Sequence, residues 1–510
     1  MTDRVLSWRG YLIIAVLAVM IGGGIASGIP GPTYTDAYYY FNAGQRLASG
    51  QGLTDPYIAL TYIGAPDRLP APAHTYWMPL PSLIVALAGG KFRLAQAIFV
   101  GLWAGLAVFA AHLGAELGGT RRHAIGAGLL VIFSGFYAPF LPMPETFTLF
   151  GLSGAFSLWF MGRAATQGSL KAYGLAGVCA GLAHLTRADG ALLIAVLVLV
   201  ALWRGRSGLR GVLIGVAGYL VVMSPWLVRN MLVMGTPLPV GGTATIWLRG
   251  YNELVSYPPA MSLQNFLAWG IGPILASRWE ALTNNLGTFV AVEGWVVLAP
   301  LMVVALAKRW RETRLLPVWT YALLLHLAMT LAFAYPGYRG GLFHSATALL
   351  PWWAALGLVG LDDVVGWVAR RRRTWNPRQA SRVFTVGVLA IAVVLTVSSV
   401  AGRWGRSDRT FYATLAETLP ADAVVMSNDP AALYYHTGLP GIVTPEAAPD
   451  ALRELLARYA VTHVVLDQNR TTALDAVYRG AVQYPFLQAL PVPETLPDVR
   501  LFAVVLDDDG

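Results

Sequence analysis

Cysteine is nearly absent from this sequence. Its single cysteine, Cys179, lies inside an apolar run, so no disulfide can form within the chain and cysteine usage does not reveal the redox compartment. Charged residues are also scarce, at 12% of the chain, against about 25% in an average soluble domain. The tail after residue 402 contains no P-loop, no dinucleotide fingerprint and no cluster of metal ligands. These absences exclude a disulfide-stapled domain and a typical soluble protein, and we expect no cofactor.

Apolar residues are what the sequence has in abundance, at 56% of the chain. Repeated apolar runs of roughly 18 residues or more predict a polytopic membrane protein, mainly α, built as a transmembrane helical bundle of about eleven spans. The first run is longer than the core of a signal peptide and has no clean cleavage site, so we expect it to stay as a span. The predicted spans cover residues 11–29, 82–117, 122–138, 146–162, 170–186, 190–203, 208–227, 286–307, 315–335, 342–368 and 383–401.

The length of the second predicted span, 82–117, is too great for one simple crossing of about 30 Å of hydrocarbon. We therefore expect part of it to lie in the membrane interface.

The net charge of +9 is concentrated in short loops between the apolar runs. That distribution is typical of membrane topology, and it argues against a nucleic-acid partner. With a cytoplasmic N-terminus, the cytoplasmic loops hold 19 lysines and arginines and the opposite loops hold 9. The bias predicts an integral protein of the cytoplasmic membrane whose N-terminus is cytoplasmic and whose C-terminal tail is extracytoplasmic.

The tail changes character, because short buried strands alternate there with amphipathic helices. AVVMSND, THVVLDQ and LFAVVL are typical of strands, and PAALYYHTG and ALRELLARYA are typical of helices. The pattern predicts a small α/β domain with a partly parallel sheet. We therefore divide the chain into a transmembrane domain, residues 1–402, and a soluble extracytoplasmic domain, residues 403–510.

The loop between the first two spans, residues 30–82, is too polar and too rich in Pro and Gly to lie in hydrocarbon. It is dense in aromatic residues, which favour the membrane–water interface. We expect the rings of Tyr39, Tyr40, Tyr76 and Trp77 to belong first to an interfacial belt, with stacking on a sugar ring as the alternative. The loop predicts an outer platform that holds Asp36 beside the bilayer.

Two carboxylates stand out on the outer face. Asp36 is a candidate general base, aimed at an acceptor hydroxyl, or an N-cap for a helix that starts at Ala37. Glu145 directly precedes a span, so it either stabilises that helix N-terminus, orients the acceptor, or ligates a metal together with Asp36. Two carboxylates are few for a divalent cation unless phosphate oxygens complete its coordination shell, so a divalent metal is an open alternative and no metal ligand is assigned.

Several cationic and polar residues share the outer face. Arg187 either pairs with Asp189 to close a short turn or binds a phosphate. Arg229 follows the end of a span, as an interfacial anchor or as a second cation for a lipid phosphate. Arg339 and His344 stand where another span begins, and His344 is either a satisfied polar group of the bundle or a substrate contact. His74 of the first loop is a further polar candidate on the outer face.

Four segments together carry a family resemblance. They are TDAYYYFNAGQRLASGQGL after the first span, PMPET in the second outer loop, the HLTRADG turn, and the PWLVRN stretch. With an outward C-terminal domain, this pattern resembles the GT-C fold integral-membrane glycosyltransferases. The nearest groups are the protein O-mannosyltransferase-like enzymes (family 39) and the lipid A aminoarabinose transferase-like enzymes.

The resemblance implies a polyprenyl-phosphate-linked sugar donor, a lipid, glycan or protein acceptor reached from the outside, and inversion at the anomeric carbon. By position, Asp36 matches the catalytic acid of the first loop and Glu145 that of the second. Arg187, Arg229 and Arg339 are then phosphate candidates, and Tyr39, Tyr40, His74, Trp77 and His344 substrate candidates. Ala37 follows Asp36 where the mannosyltransferases typically carry an Asp-Glu pair, which leaves the acceptor open.

Two readings from other classes compete with the transferase. One is a polytopic transporter or lipid flippase whose outer polar residues form a substrate path. Against it, the two halves lack paired spans broken by Gly or Pro at equivalent places. The other is a non-catalytic assembly subunit, which would bind a lipid donor without turnover.

Overall fold

The computed structural model describes residues 5–203, 205, 208–372, 374–406 and 408–506. Four of the cations counted above as cytoplasmic, Arg4, Arg204, Arg206 and Arg373, lie outside these described residues. The chain forms two compact units, each assembled from three segments. Unit 1 comprises Met1–Pro30, Arg93–Val228 and Arg278–Gly405, and unit 2 comprises Gly31–Phe92, Arg229–Ser277 and Arg406–Gly510.

Helices dominate the structure, which confirms the mainly α prediction. They are α1 (Trp8–Ser27), α2 (Thr35–Ala48), α3 (Leu80–Leu87), α4 (Phe92–Gly118), α5 (Arg121–Ile132), α6 (Thr146–Gln167), α7 (Leu170–Thr186), α8 (Ala191–Trp203), α9 (Gly208–Met234), α10 (Val240–Ala244), α11 (Tyr251–Leu254), α12 (Leu263–Ala268), α13 (Ile271–Thr288), α14 (Ala299–Arg309), α15 (Leu316–Leu327), α16 (Ala334–Pro336), α17 (Leu342–Ser345), α18 (Leu350–Ala369), α19 (Pro377–Ala401), α20 (Arg409–Thr418), α21 (Pro430–Thr437), α22 (Pro449–Arg458) and α23 (Asp475–Tyr478).

Six helical stretches of the described chain are long and apolar enough to cross a membrane. They are Trp8–Ser27, Phe92–Gly118, Gly208–Met234, Thr313–Ala332, Ala334–Ala369 and Pro377–Ala401, and the shorter Ala188–Trp203 is also apolar. The protein is therefore an integral membrane protein. The predicted spans at 122–138, 146–162, 170–186 and 286–307 correspond to helices that do not meet this combined standard of length and apolar character, so their crossing stays a prediction.

The overlong second span consists of two helices, which explains why it exceeds one simple crossing, and the expected interfacial position of part of it stays a prediction. Helix α3 ends at Leu87 and α4 begins at Phe92. Gly89 and Gly90 join them with φ angles of 63° and 66°, a left-handed conformation that glycine adopts without steric cost. The Gly-Gly pair is thus the sequence signal for the break.

Close helix contacts through glycine hold α7 in unit 1. A Cβ added to Gly177 of α7 would lie 1.8 Å from the carbonyl oxygen of Gly215 in α9. Gly218 of α9 meets the carbonyl oxygen of Gly174 in the same way, at 2.4 Å from an added Cβ. Small residues let helix backbones approach in a membrane, where packing drives association. This contact fixes α7, whose C-terminal end carries the turn that begins at Arg187.

The eight strands lie in unit 2. They are β1 (Thr54–Asp55), β2 (Tyr57–Ile58), β3 (Ala71–Pro72), β4 (Val425–Ser427), β5 (Gly441–Val443), β6 (His463–Leu466), β7 (Leu487–Leu490) and β8 (Arg500–Val504). Six of them form one sheet in the order β2-β5-β4-β6-β8-β7. Strands β2, β5, β4 and β6 are parallel neighbours, and β8 and β7 add in antiparallel fashion. The predicted α/β tail with a partly parallel sheet is confirmed.

The edge strand β2 comes from the first loop, not from the tail. Tyr57 pairs with Gly441 and Ile58 with Ile442 of β5. The loop therefore belongs to the same compact unit as the tail, whereas the division at 402/403 assigns it to the transmembrane domain. A strand of two residues is too short to show a periodicity in the sequence, so this pairing could not be predicted from the sequence pattern.

Several tyrosines of the first loop are buried, so the interfacial-belt interpretation is wrong for them, whereas Tyr76 and Trp77 are partly exposed and their place in a belt stays a prediction. Tyr38, Tyr39, Tyr40 and Tyr57 are each at most 2% exposed. They pack in one core with apolar residues of the tail, such as Leu433. The rings pack against apolar side chains of the tail, so they do not need the membrane interface to be shielded from water.

Candidate active site

Glu145 sits at the N-terminus of α6 and is fully buried in unit 1. Its carboxylate accepts hydrogen bonds from the hydroxyl of Thr146 at 2.8 Å and from the backbone N–H of Phe147 at 3.3 Å. The predicted role as a stabiliser of this helix N-terminus is confirmed. A buried carboxylate is costly unless it is paired, so its other contacts decide what it does.

His344 supplies that partner from the short helix α17. Its Nδ1 lies 3.4 Å from Oε1 of Glu145 and 2.9 Å from the hydroxyl of Thr146. The ring stacks on Phe147 with centroids 4.0 Å apart. Both side chains are thereby fixed in rotation, and a paired ionisable group within the bundle is a candidate functional site.

Arg187 and Asp189 form an ion pair in the turn after α7, as one of the two interpretations predicted. The Arg187 Nε and Nη2 donate to the two carboxylate oxygens of Asp189 at 3.2 and 3.1 Å. Ser345 completes the group, because its hydroxyl donates to Asp189 and accepts from Arg187 Nε at 3.3 Å. Tyr321 donates to the backbone carbonyl of Ser345 at 3.1 Å and holds it in place.

The two pairs are neighbours, since His344 and Ser345 are consecutive in sequence. One stretch of α17 therefore joins a carboxylate–imidazole pair to a carboxylate–guanidinium pair inside unit 1. Sequence reasoning singled out the charged members and missed Ser345 and Thr146. Hydroxyl residues are common in helices of all kinds, and their only signal here is that each stands next to a charged candidate.

Arg339 lies apart from this group. It is exposed on the π-helical segment Gly337–Gly341, five residues before His344. Within the described chain, no hydrogen bond or ion pair joins it to the four charged side chains above. Its predicted role at a phosphate stays a prediction.

Asp36 lies in the first turn of α2 in unit 2. The helix begins at Thr35, its N-cap is Tyr34, and the cap has no side-chain hydrogen bond. The interpretation of Asp36 as the N-cap is therefore wrong, because the helix starts two residues earlier than predicted. The carboxylate is partly buried, and its place in the first turn favours the negative charge.

Arg229 also belongs to unit 2, where it braces the first loop. Its Nη2 donates to the backbone carbonyls of Ala73 at 3.0 Å and Leu53 at 3.5 Å, and its Nη1 donates to the side chain of Asn230 at 3.1 Å. Two separate segments of the loop are thus held by one guanidinium. Arg229 therefore holds the first loop in shape, whereas its position after a span suggests only an anchor at the membrane interface.

The remaining substrate candidates of the first loop pack against one another. Tyr39 contacts His74 and Trp77, with ring centroids 5.3 and 4.3 Å apart, and Tyr40 stacks on His74 at 6.3 Å. Tyr39, Tyr40 and His74 are buried, while Trp77 is partly exposed. Burial lowers the pKa of His74 to about 3, so its ring is neutral at physiological pH. In the structure these rings shape the loop, and their contact with a substrate stays a prediction.

Asp55 is a buried carboxyl that sequence reasoning left without a role. Its Oδ2 accepts from the Tyr39 hydroxyl at 2.7 Å. Burial raises the pKa of Asp55 to about 7, while the Tyr39 hydrogen bond and the nearby positive charges of Arg46 and Arg229 act in the opposite direction. Ionising this carboxyl therefore costs stability in the folded state.

We expect Asp55→Asn to flatten the pH dependence of stability. A folded-state pKa above the unfolded value means that the wild type loses stability as pH rises from about 4 to about 7, by at most about 4 kcal/mol, and is level above pH 7. Asparagine keeps an oxygen for Tyr39 and has no charge to bury. Thermal unfolding of the detergent-purified protein from pH 4.5 to 8 measures the difference. The variant's advantage should grow with pH, and parallel curves would contradict this account.

Comparison with known proteins adds independent evidence on the fold. Residues 71–228 match the family model for dolichyl-phosphate-mannose-protein mannosyltransferases. No curated protein sequence matches the chain at a significant level.

Several solved structures share the architecture. ArnT from Cupriavidus metallidurans bound to undecaprenyl phosphate has a TM-score of 0.58 at 13% identity, with 99% of this chain and 100% of that chain covered. The archaeal oligosaccharyltransferase AglB from Archaeoglobus fulgidus, in complex with an inhibitory peptide and a dolichol-phosphate, has a TM-score of 0.58 at 14% identity, covering 99% and 75%. The arabinofuranosyltransferase AftD from Mycobacteria has a TM-score of 0.51 at 16% identity, covering 99% and 40%.

These proteins are all GT-C glycosyltransferases, and they are the class that the four sequence segments resemble. The predicted resemblance is confirmed, and the chain has the GT-C fold of the protein O-mannosyltransferase-like and ArnT-like proteins.

Proposed function

We propose that this protein is a membrane glycosyltransferase that moves a sugar from a polyprenyl-phosphate-linked donor to an acceptor hydroxyl on the outer face of the membrane, with inversion. The observation that carries the proposal is the joined group of Glu145, His344, Arg187 and Asp189 inside a GT-C fold. Such a concentration of ionisable groups in a membrane protein is costly without a function.

The cationic part of this group suits a departing lipid phosphate. Negative charge develops on that phosphate as the bond to the sugar C1 breaks. Arg187 is held by Asp189 and Ser345, so its guanidinium is oriented before substrate arrives. His344 is held through Nδ1 by Glu145 and Thr146, which directs Nε2 away from them. Preorganised groups in a low-dielectric site stabilise developing charge without further rearrangement.

Asp36 is the base in this proposal. It removes the proton from the acceptor hydroxyl as the oxygen attacks C1, and positive charge develops on the sugar ring. Its support is the position directly after the first span, in a segment that resembles the catalytic loop of the family, together with its partial burial. A positioned base contributes about 10²–10⁴-fold to the rate.

The other two arginines take different parts. Arg229 is engaged by loop carbonyls, which supports a positioning role for the first loop in addition to its predicted phosphate contact. Arg339 is the third phosphate candidate among these arginines. Its side chain is exposed and lies outside the group formed by Glu145, His344, Arg187 and Asp189, so it would contact the phosphate separately from that group. In this proposal the sugar is a hexose or a pentose and the acceptor is a lipid, glycan or protein, and the donor panel below distinguishes the sugars.

The donor class draws support from the solved relatives. One of them is bound to undecaprenyl phosphate and another to a dolichol-phosphate. Both ligands are polyprenyl phosphates, the product that our reaction would release. The charge bias of the loops supports a cytoplasmic N-terminus and a reaction on the outer side.

A donor panel tests the function. Purified protein in nanodiscs is given radiolabelled polyprenyl-phosphate hexoses and pentoses with a mixed membrane extract as acceptor, with and without EDTA. We expect release of sugar from at least one donor, and the comparison with and without EDTA decides whether a divalent metal takes part. Movement of intact donor across a vesicle bilayer without cleavage would instead support the flippase reading and contradict the proposal.

A further inference from the structure

A basic cleft of about 520 Å³ opens in unit 1, where helices α5 and α19 begin. Its volume is within the range of sites for small ligands, about 300–1,000 Å³. Four arginines and one aspartate line it, so its charged lining is strongly positive. The lining residues are Thr120, Arg121, Arg122, Asp362, Pro377, Arg378, Ser381 and Arg382.

The single carboxylate of the cleft is already neutralised. Arg122 donates to Asp362, and Nε2 of His123 lies 3.0 Å from the same carboxylate oxygen. Arg122 also donates to the hydroxyl of Thr385 at 2.6 Å, which fixes its guanidinium. The positive charges of the other three arginines, Arg121, Arg378 and Arg382, are then in excess, and all three are exposed.

Large apolar side chains border the cleft on the same helices. Val383 and Phe384 follow Arg382 directly and are 61% and 44% exposed, and Ile125 of α5 is 42% exposed. Trp375 lies against Phe384, with ring centroids 6.1 Å apart. Exposed aliphatic residues beside a tryptophan are typical of the boundary between hydrocarbon and headgroups. An occupant of this cleft would therefore have an anionic head and an apolar body.

The cleft is also separate from the proposed catalytic group. Asp362 is 12 residues beyond Leu350 in α18, and that helix begins five residues after Ser345. At 1.5 Å per residue, Asp362 lies about 18 Å along the helix from its start. The cleft thus opens at the far end of α18 from Ser345 and His344.

We propose that this cleft binds the phosphate-bearing headgroup of one anionic glycerophospholipid, with Arg121, Arg378 and Arg382 contacting the phosphate and the apolar border contacting the acyl chains. Guanidinium groups match phosphate oxygens in charge and geometry. Clusters of arginine beside a membrane-spanning helix are a general mode of anionic lipid recognition. The positive-inside bias places the site at the cytoplasmic leaflet.

The test is calorimetric titration of the full-length protein in neutral detergent with short-chain phosphatidylglycerol, short-chain phosphatidylcholine and inorganic phosphate. The variant is Arg378→Gln/Arg382→Gln. Arg210→Gln/Arg311→Gln is the matched control, because it removes the same charge from two exposed arginines outside the cleft. Gel filtration and thermal unfolding without lipid establish that each protein is folded.

We expect phosphatidylglycerol to bind best, and the cleft variant to lose about 30-fold in affinity, on the order of fivefold for each arginine near an anionic headgroup. The control variant should keep wild-type affinity. Equal binding of phosphatidylcholine, or unchanged affinity in the cleft variant, would overturn the proposal. If inorganic phosphate bound as tightly as phosphatidylglycerol, the cleft would be a site for a free anion, and the proposal that its ligand is a lipid would be overturned.

Discussion

Asp36→Asn protein is expected to transfer sugar about 10²–10⁴-fold more slowly than wild type while folding and inserting normally. Asparagine has nearly the same shape as aspartate, but it cannot accept the proton of the acceptor hydroxyl. The change affects a partly buried residue in the first turn of α2, where loss of the charge costs the helix about 0.3–1 kcal/mol at most. Single-turnover transfer from the donor identified by the panel measures the effect on chemistry alone.

The matched control for this variant is Asp67→Asn. Asp67 is in the same loop and its side chain is 88% exposed, with an ion pair to Arg458. Exposed pairs contribute about 0–1 kcal/mol, so the control should retain wild-type transfer. If Asp36→Asn kept near-normal transfer, the assignment of Asp36 as the base would be wrong.

Arg187→Gln is expected to lower transfer by about 10²–10³-fold, because it removes a preorganised cation from the leaving phosphate. The affinity for free polyprenyl phosphate should fall as well, since in our proposal Arg187 contacts the charge that this product carries. Both quantities can be measured on one preparation, by single-turnover kinetics and by equilibrium binding of the lipid phosphate.

A double variant separates this role from a structural one. Arg187→Gln leaves the largely buried carboxylate of Asp189 without its ion pair. That loss alone is enough to distort the turn. Arg187→Gln/Asp189→Asn removes both charges and keeps hydrogen-bonding groups for Ser345. If Arg187 only closes the turn, the double variant should recover transfer. If Arg187 stabilises the phosphate, as we propose, the double variant stays as slow as the single one.

Local patterns in the sequence predicted much of this structure. The alternation of strands and helices in the tail reported the α/β sheet, because each element there carries its own periodicity. The ion pair between Arg187 and Asp189 was one of two interpretations of that turn, because opposite charges two residues apart in a short turn can reach each other. The excess length of the second predicted span was also visible in the sequence, and the structure shows that a break at Gly89 and Gly90 divides it.

Long-range pairing is what the sequence did not reveal. The two residues of β2 join a strand nearly four hundred residues later, and no local rule specifies such a partner. The tyrosines of the first loop have the composition of an interfacial belt, yet the tail buries them. Ser345 and Thr146 matter only because α17 and α6 place them beside charged groups. Each of these features depends on packing between distant segments.

The measurement that tests the central claim most directly follows an oxygen isotope through the reaction. A polyprenyl-phosphate sugar is prepared with oxygen-18 in the bridge between the sugar C1 and phosphorus, and wild-type protein is allowed to transfer the sugar. Our account predicts attack at C1, so mass spectrometry should find the label in the released polyprenyl phosphate and none in the glycosylated acceptor. Label that appears in the sugar product, or donor that crosses the membrane uncleaved, would contradict the proposed glycosyl transfer.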